Sequence, residues 1–148
     1  MYNLKRSSIT SDFDVFYNYP IVVQKNYIFT GSNNRYTSID KITGRIKWQL
    51  KLKLSSIPII SNNFSFVVTQ NNFLICIDNN TGKILWSKNI DKELANKQIK
   101  TFDTKPQKIK RFVLLNDNVS LIYSSGKILN FQYRNGDFVS MLNFKKGM

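Results

Sequence analysis

The chain has 148 residues, 42% of them hydrophobic and 14% aromatic, enough for one domain with a sizeable core. It carries 22 Lys and Arg against 9 Asp and Glu, one cysteine and no histidine. That inventory sets aside Ser-His-Asp and Cys-His catalysis, His-ligated zinc and haem, and it forbids an internal disulfide.

The apolar residues come in short bursts, such as Ile21-Val22-Val23, Phe64-Ser65-Phe66-Val67-Val68 and Phe112-Val113-Leu114-Leu115. None approaches the roughly 18 apolar residues of a membrane-spanning helix. Met1 to Ser8 holds the basic pair Lys5-Arg6 with no apolar segment behind it, so no signal peptide is read there. The net charge of +13 admits a basic surface for nucleic acid, anionic lipid or an acidic partner. Lysines are nevertheless scattered through the whole chain, as on the solvent faces of soluble β proteins. The reading taken is distributed charge and no specific nucleic-acid site.

In chain order, residues 1–19 read as the tail of a preceding unit or an N-terminal extension. From Pro20 the chain alternates short β-branched or aromatic runs with turn residues. Pro20-Ile21-Val22-Val23, Tyr27-Ile28-Phe29-Thr30, Tyr36-Thr37-Ser38-Ile39-Asp40 and Arg45-Ile46-Lys47-Trp48 predict four strands within residues 20–56. Ile46, Trp48 and Leu50 are expected on one face by period-2 alternation. The last turn, Asp40-Lys41-Ile42-Thr43-Gly44, uses glycine for positive φ and aspartate to cap backbone N–H groups.

The same frame returns as Asp78-Asn79-Asn80-Thr81-Gly82 followed by Trp86, with Gly82 38 residues after Gly44. Aligned without a gap, Pro20 meets Pro58, and residues 57–90 form a second unit in which Cys76 takes the slot of Ser38. Cys76 is expected to be a packed core thiol rather than a nucleophile. Ten residues separate Trp48 from Pro58, but 26 separate Trp86 from Phe112. Residues 91–108 are therefore an insert, a basic loop or a short helix over Ile90–Gln98 capped by Asp91. Lys100 to Phe112 is basic and aromatic and reads as an inter-unit loop rather than a nucleic-acid contact. A third, degenerate unit over 109–148 keeps Gly136 but replaces the aspartate by Gln132, the threonine by Asn135 and the tryptophan by Ser140.

A four-stranded meander of about 40 residues is the blade of a β-propeller, and closure takes about 4–8 blades. The fold class expected is all-β: a partial propeller of three four-stranded antiparallel blades. Three blades leave two apolar faces uncovered, which predicts self-association or a missing partner and suggests a piece of a longer array.

The frame small-x-Asp-x-x-Thr-Gly-x-x-x-Trp resembles the quinoprotein-type (PQQ-like) propeller repeat. It is carried here by Asp40, Thr43, Gly44 and Trp48, by Asp78, Thr81, Gly82 and Trp86, and in part by Gly136. The resemblance implies that each tryptophan docks on the next blade. One branch of that family, the quinoprotein dehydrogenases, binds pyrroloquinoline quinone and calcium on the propeller axis through acidic and amide ligands, an Asp base and often adjacent cysteines. This chain has no adjacent cysteines. The other branch, the BamB scaffold lipoproteins of outer-membrane β-barrel assembly, is non-enzymatic. Similarity to it implies a protein partner on blade loops or exposed edges, the periplasmic face of the outer membrane, and no cofactor, metal or catalytic residue. A dehydrogenase-like or ligand-sensing propeller is the alternative, followed by a basic nucleic-acid-binding protein. The lipid-bearing N-terminal cysteine of the scaffold branch is absent.

Overall fold

The computed structural model of the chain describes residues 21–32, 34–97 and 108–144. The expectations for residues 1–20, Pro20 included, and for most of the basic stretch after Lys100 lie outside these residues. Strands β1 (Val22–Gln24), β2 (Tyr27–Ser32), β3 (Arg35–Asp40) and β4 (Ile46–Leu50) form the first antiparallel sheet, each strand pairing with the next. β5 (Ile59–Ile60), β6 (Phe64–Val68), β7 (Phe73–Asp78) and β8 (Ile84–Asn89) form the second. A helix, α1 (Ile90–Asn96), precedes the third, made of β9 (Ile109–Leu115), β10 (Asn118–Tyr123), β11 (Lys127–Gln132) and β12 (Phe138–Asn143). The described residues are thus all-β apart from one short helix, and their three four-stranded meanders are the blades of a partial propeller.

Each blade carries a bulge at the same place. Ser38 pairs with Trp48 but Ile39 with Ile46, Cys76 with Trp86 but Ile77 with Ile84, and Asn130 with Ser140 but Phe131 with Phe138. The extra residue (Lys47, Leu85 or Val139) breaks the period of two. Ile46 therefore leaves the face of Trp48: it is 42% exposed, whereas Trp48 is 8% exposed. The single-face expectation for Ile46, Trp48 and Leu50 fails because of this bulge.

The repeat also contains a one-residue step. Phe29 pairs with Ser38, and Phe66 with Cys76, so β2 corresponds to β6 at an offset of 37 while β3 corresponds to β7 at 38. The extra residue sits in the second hairpin turn, which is tight at Ser32↔Arg35 but runs from Val68 to Leu74 in the next blade. A gapless alignment misses it because β6 is apolar in either register: Phe29 meets Phe66 at an offset of 37 and Val67 at 38.

The insert begins with α1, whose N-cap is Asn89 rather than Asp91: the Asn89 side chain accepts from the Lys92 N–H at 3.1 Å. Asp91 instead accepts from the Asn72 side-chain amide. Ile90 and Leu94, one turn apart, are buried against the core between the second and third blades. No helix among the described residues is long and apolar enough to cross a membrane.

Two apolar layers hold the blades together. One joins Phe29, Tyr36, Trp48 and Leu54 to Val67, Ile75 and Ile77; the other joins Phe66, Val68, Leu74, Cys76 and α1 to Val119, Leu121, Leu129 and Phe131. Among the described residues, the middle blade is packed on both faces, and the first and third on one face each. Burial of a side chain of this size contributes roughly 1.5–3 kcal/mol before entropy is charged.

Candidate functional site: docking seams and open edges

The Asp-x-x-Thr-Gly turn is built twice in the same way. Asp40 accepts from the Ile42 and Thr43 N–H groups, both at 2.8 Å, and Thr43 Oγ1 accepts from the Arg45 N–H. Asp78 accepts from Asn80 and Thr81, and Thr81 Oγ1 from Lys83. The bonds from Thr43 and Ile42 hold the Asp40 carboxyl below the usual carboxylate range. The glycines close the turns at positive φ, +70° at Gly44, +74° at Gly82 and +76° at Gly136. In the third blade Gln132 replaces the aspartate, yet Gly136 N still bonds Gln132 O, and Asn135 Oδ1 accepts from Asp137 N as the threonine hydroxyl does elsewhere.

Each tryptophan sits on the turn of the blade that follows. Trp48 Nε1 donates to the Asn79 carbonyl at 2.8 Å, and Trp86 Nε1 to the Tyr133 carbonyl at 3.1 Å. A Cβ added at Gly82 would lie 2.6 Å from Trp48 Cγ, and one at Gly136 would lie 2.5 Å from Trp86 Cε3. Glycine is therefore required twice over at these two positions, for φ and for contact with the indole. At Gly44 the same addition would meet nothing within 4 Å.

Asn79 is the docking residue that the repeat frame hides. It is 2% exposed, accepts from the Ser65 hydroxyl and donates through Nδ2 to the Ser61 carbonyl at 3.0 Å. Ser65 in turn accepts from the Tyr36 hydroxyl at 3.0 Å, so a buried polar knot stitches the first blade to the second beside Trp48. Burial raises the Tyr36 phenol above its ordinary range, the Ser65 hydrogen bond opposing. The frame treats position 79 as a free turn residue because Lys41 and Tyr133 fill it in the other blades; its one signal is an amide in a turn already capped by aspartate.

Cys76 is buried and unbonded to sulfur, facing Trp86 across the ladder, and its thiol is pushed up to about 12 by burial and, secondarily, by the Asp78 charge. A thiol so raised stays protonated and unreactive at neutral pH.

The donor set does not fit a calcium–quinone site among the described residues. Asp40 and Asp78 are committed to their turns, and no group of three His, Cys, Asp or Glu side chains could hold a metal there.

Large apolar side chains do reach solvent. Ile42 stands 78% exposed at the tip of the first Asp-x-x-Thr-Gly turn. Leu85 and Val139, the bulge residues of the outer edge strands β8 and β12, are about half exposed, as are Leu142 on β12 and Ile46 on β4. Strands β4, β8 and β12 each end their sheet, so their outward N–H and C=O groups have no strand partner among the described residues.

Solved structures with the same chain path are BamB from Moraxella catarrhalis (18% identity, TM-score 0.61), a europium-containing methanol dehydrogenase (19%, 0.63) and the quinohemoprotein alcohol dehydrogenase of Comamonas testosteroni (16%, 0.62). The alignments cover 83%, 82% and 82% of this chain but only 36%, 23% and 20% of those chains. At these identities they show the propeller fold alone, and both scaffold and enzymes share it. No curated protein sequence matches the chain. The family model described as outer membrane protein assembly factor BamB matches residues 10–146, the repeat units included. The chain belongs to the BamB family of PQQ-like propeller proteins.

Proposed function

We propose that the chain is a non-catalytic scaffold that binds a protein partner, an outer-membrane barrel-assembly subunit, at the periplasmic face of the outer membrane. The observation that carries this reading is the apolar bulge position on the outer edge strands. Leu85 and Val139 are equivalent by repeat, exposed, and flanked by backbone groups open to pairing. A partner segment adding itself as a strand would gain main-chain hydrogen bonds from the edge and side-chain specificity from these residues. Ile42 and the other exposed loop residues extend the contact beyond the edge. Family membership supports the choice of partner.

The test is a calorimetric titration of the full chain with the soluble domains of the barrel-assembly subunit from the same organism. A micromolar or tighter complex is expected, weakened at least about tenfold by Leu85→Asp or Val139→Asp, a loss of about 1.4 kcal/mol. Unchanged melting of these variants would show that the loss is one of contact. Absence of binding, or dye reduction with an alcohol after addition of pyrroloquinoline quinone and calcium, would overturn the reading.

A further inference from the structure

The strand register sorts the two ends of the blades. The turns before β4, β8 and β12 stand at one end; the turns after β2, β6 and β10 stand at the other, together with the connectors between blades. The three blades share this orientation. Trp48 and Trp86 both reach the turn before the last strand of the next blade. At the connector end Leu54 pairs with Thr69, and the Ser55 N–H donates to the Val68 carbonyl. The start of β9 lies there too, since Ile122 pairs with Arg111 and the Ser124 N–H donates to the Lys108 carbonyl.

Charge follows that division. Of the described acidic residues, Asp40, Asp78, Asp117 and Asp137 lie at the end of the Thr-Gly turns. The remaining two, Asp91 and Glu93, lie at the connector end on α1, where Lys92 and Lys97 offset them. The connector end also carries Arg35 and Lys51 of the first blade, Lys53 of the first connector, and Lys108, Lys110 and Arg111 around the start of β9. All six are exposed, and none has a carboxylate partner among the described residues. Two clefts open at this end. One of about 400 Å³ lies among Asn34, Arg35, Gln49 and Lys51, and one of about 490 Å³ lies between residues 55–58 and 109–113, with Lys110 and Arg111 on its wall. Ile57, which lines the larger cleft, is 52% exposed. Phe144, tied to the turn after β10 by its N–H to the Gly126 carbonyl at 2.9 Å, is 59% exposed. Lysines that look scattered along the chain are thus gathered by the topology.

We propose that the connector end of the blades binds the surface of an anionic phospholipid bilayer, with its basic side chains over lipid phosphates and Ile57 and Phe144 entering the boundary between headgroups and acyl chains. An anionic leaflet attracts cations that come within about one Debye length, roughly 10 Å, and a set spread over the end of several blades meets a plane of charge all at once. Exposed apolar side chains beside the cations add buried area that salt does not screen. The larger cleft has room for a lipid headgroup, with Lys110 and Arg111 as its cationic donors. A nucleic-acid strand is not the occupant: tracking it takes successive aromatic platforms, and Phe144 is the one exposed aromatic among the described residues. This surface uses none of Leu85, Val139 or Ile42, so it goes beyond the partner proposed above and does not depend on it.

The test is co-sedimentation of the full chain with vesicles of phosphatidylcholine, alone or with about one third phosphatidylglycerol. Binding at least about tenfold tighter to the anionic vesicles is expected at about 0.1 M salt, weakening severalfold by about 0.5 M. Lys53→Gln with Lys110→Gln should weaken it about 25-fold, about fivefold per charge, with unchanged melting. Lys41→Gln with Lys83→Gln, at the opposite end, should change it less than about twofold. Ile57→Ser with Phe144→Ser should weaken it at least about fivefold. Equal binding to both kinds of vesicle, equal weakening by the two lysine pairs, or an apolar pair without effect would overturn the proposal. So would tighter binding to a single-stranded oligonucleotide or to polyglutamate than to the anionic vesicles at equal charge.

Discussion

Trp48 donates its indole N–H to the main-chain carbonyl of Asn79, 31 residues ahead in the next blade, at 2.8 Å. The same residue's side chain ties Ser65 to Ser61, so one buried asparagine fixes both the docked ring and the floor beneath it. Trp48→Ala removes the ring and orphans the carbonyl. A loss of about 3–5 kcal/mol in urea unfolding is expected. Trp48→Phe, which keeps most of the apolar body, is expected to lose less than half of that.

Two of the turn glycines, Gly44 and Gly82, should separate in the same measurement. Gly44→Ala forces an L side chain to positive φ, at about 1–2 kcal/mol, and meets no neighbour. Gly82→Ala carries the same strain and drives its Cβ into the Trp48 ring, adding about 1–3 kcal/mol of overpacking. Equal losses at the two positions would mean that the ring does not rest on Gly82.

Ser38 occupies the slot that Cys76 fills one blade later, fully buried, and its hydroxyl has no hydrogen-bond partner among the described residues. A buried unpaired hydroxyl is a cost. Ser38→Ala should leave stability unchanged or raise it by up to about 1 kcal/mol. A loss beyond that, by chemical denaturation, would point to a partner for the hydroxyl.

Stability should fall at alkaline pH. Burial raises Cys76 from 9.0 to about 12 and lifts Tyr36 and Tyr123 above their ordinary phenol range. Below about pH 9 all three are protonated, folded or not, and contribute no slope. Above it the unfolded chain ionises first and binds fewer protons, so unfolding is favoured, by up to about 1.4 kcal/mol per pH unit and group. Urea midpoints at pH 8, 9.5 and 11 should decline progressively. Cys76→Ala should flatten the part that begins near pH 9.

The repeat was legible because its signals are local. Glycine at positive φ, aspartate bonding N–H groups two and three residues on, and alternating strands are all written within about ten residues. What escaped depends on residues far apart in sequence. The bulge at Lys47 reassigns Ile46 to the outer face, and only the pairing of Ile39 with Ile46 reveals it. Asn79 matters because a tryptophan from another blade selects its carbonyl. Ser120, Asn130 and Ser140 of the third blade look like decay until the ladder register places the three side by side. The cap of α1 moved from Asp91 to Asn89 because Asp91 is drawn to Asn72 across the blade.

The most direct measurement of the scaffold claim is hydrogen exchange of the full chain with and without the barrel-assembly partner. Partner-induced protection is predicted along β8 and β12, at the edges beside Leu85 and Val139. Protection confined to the inner strands β1, β5 and β9, or none at all, would contradict it.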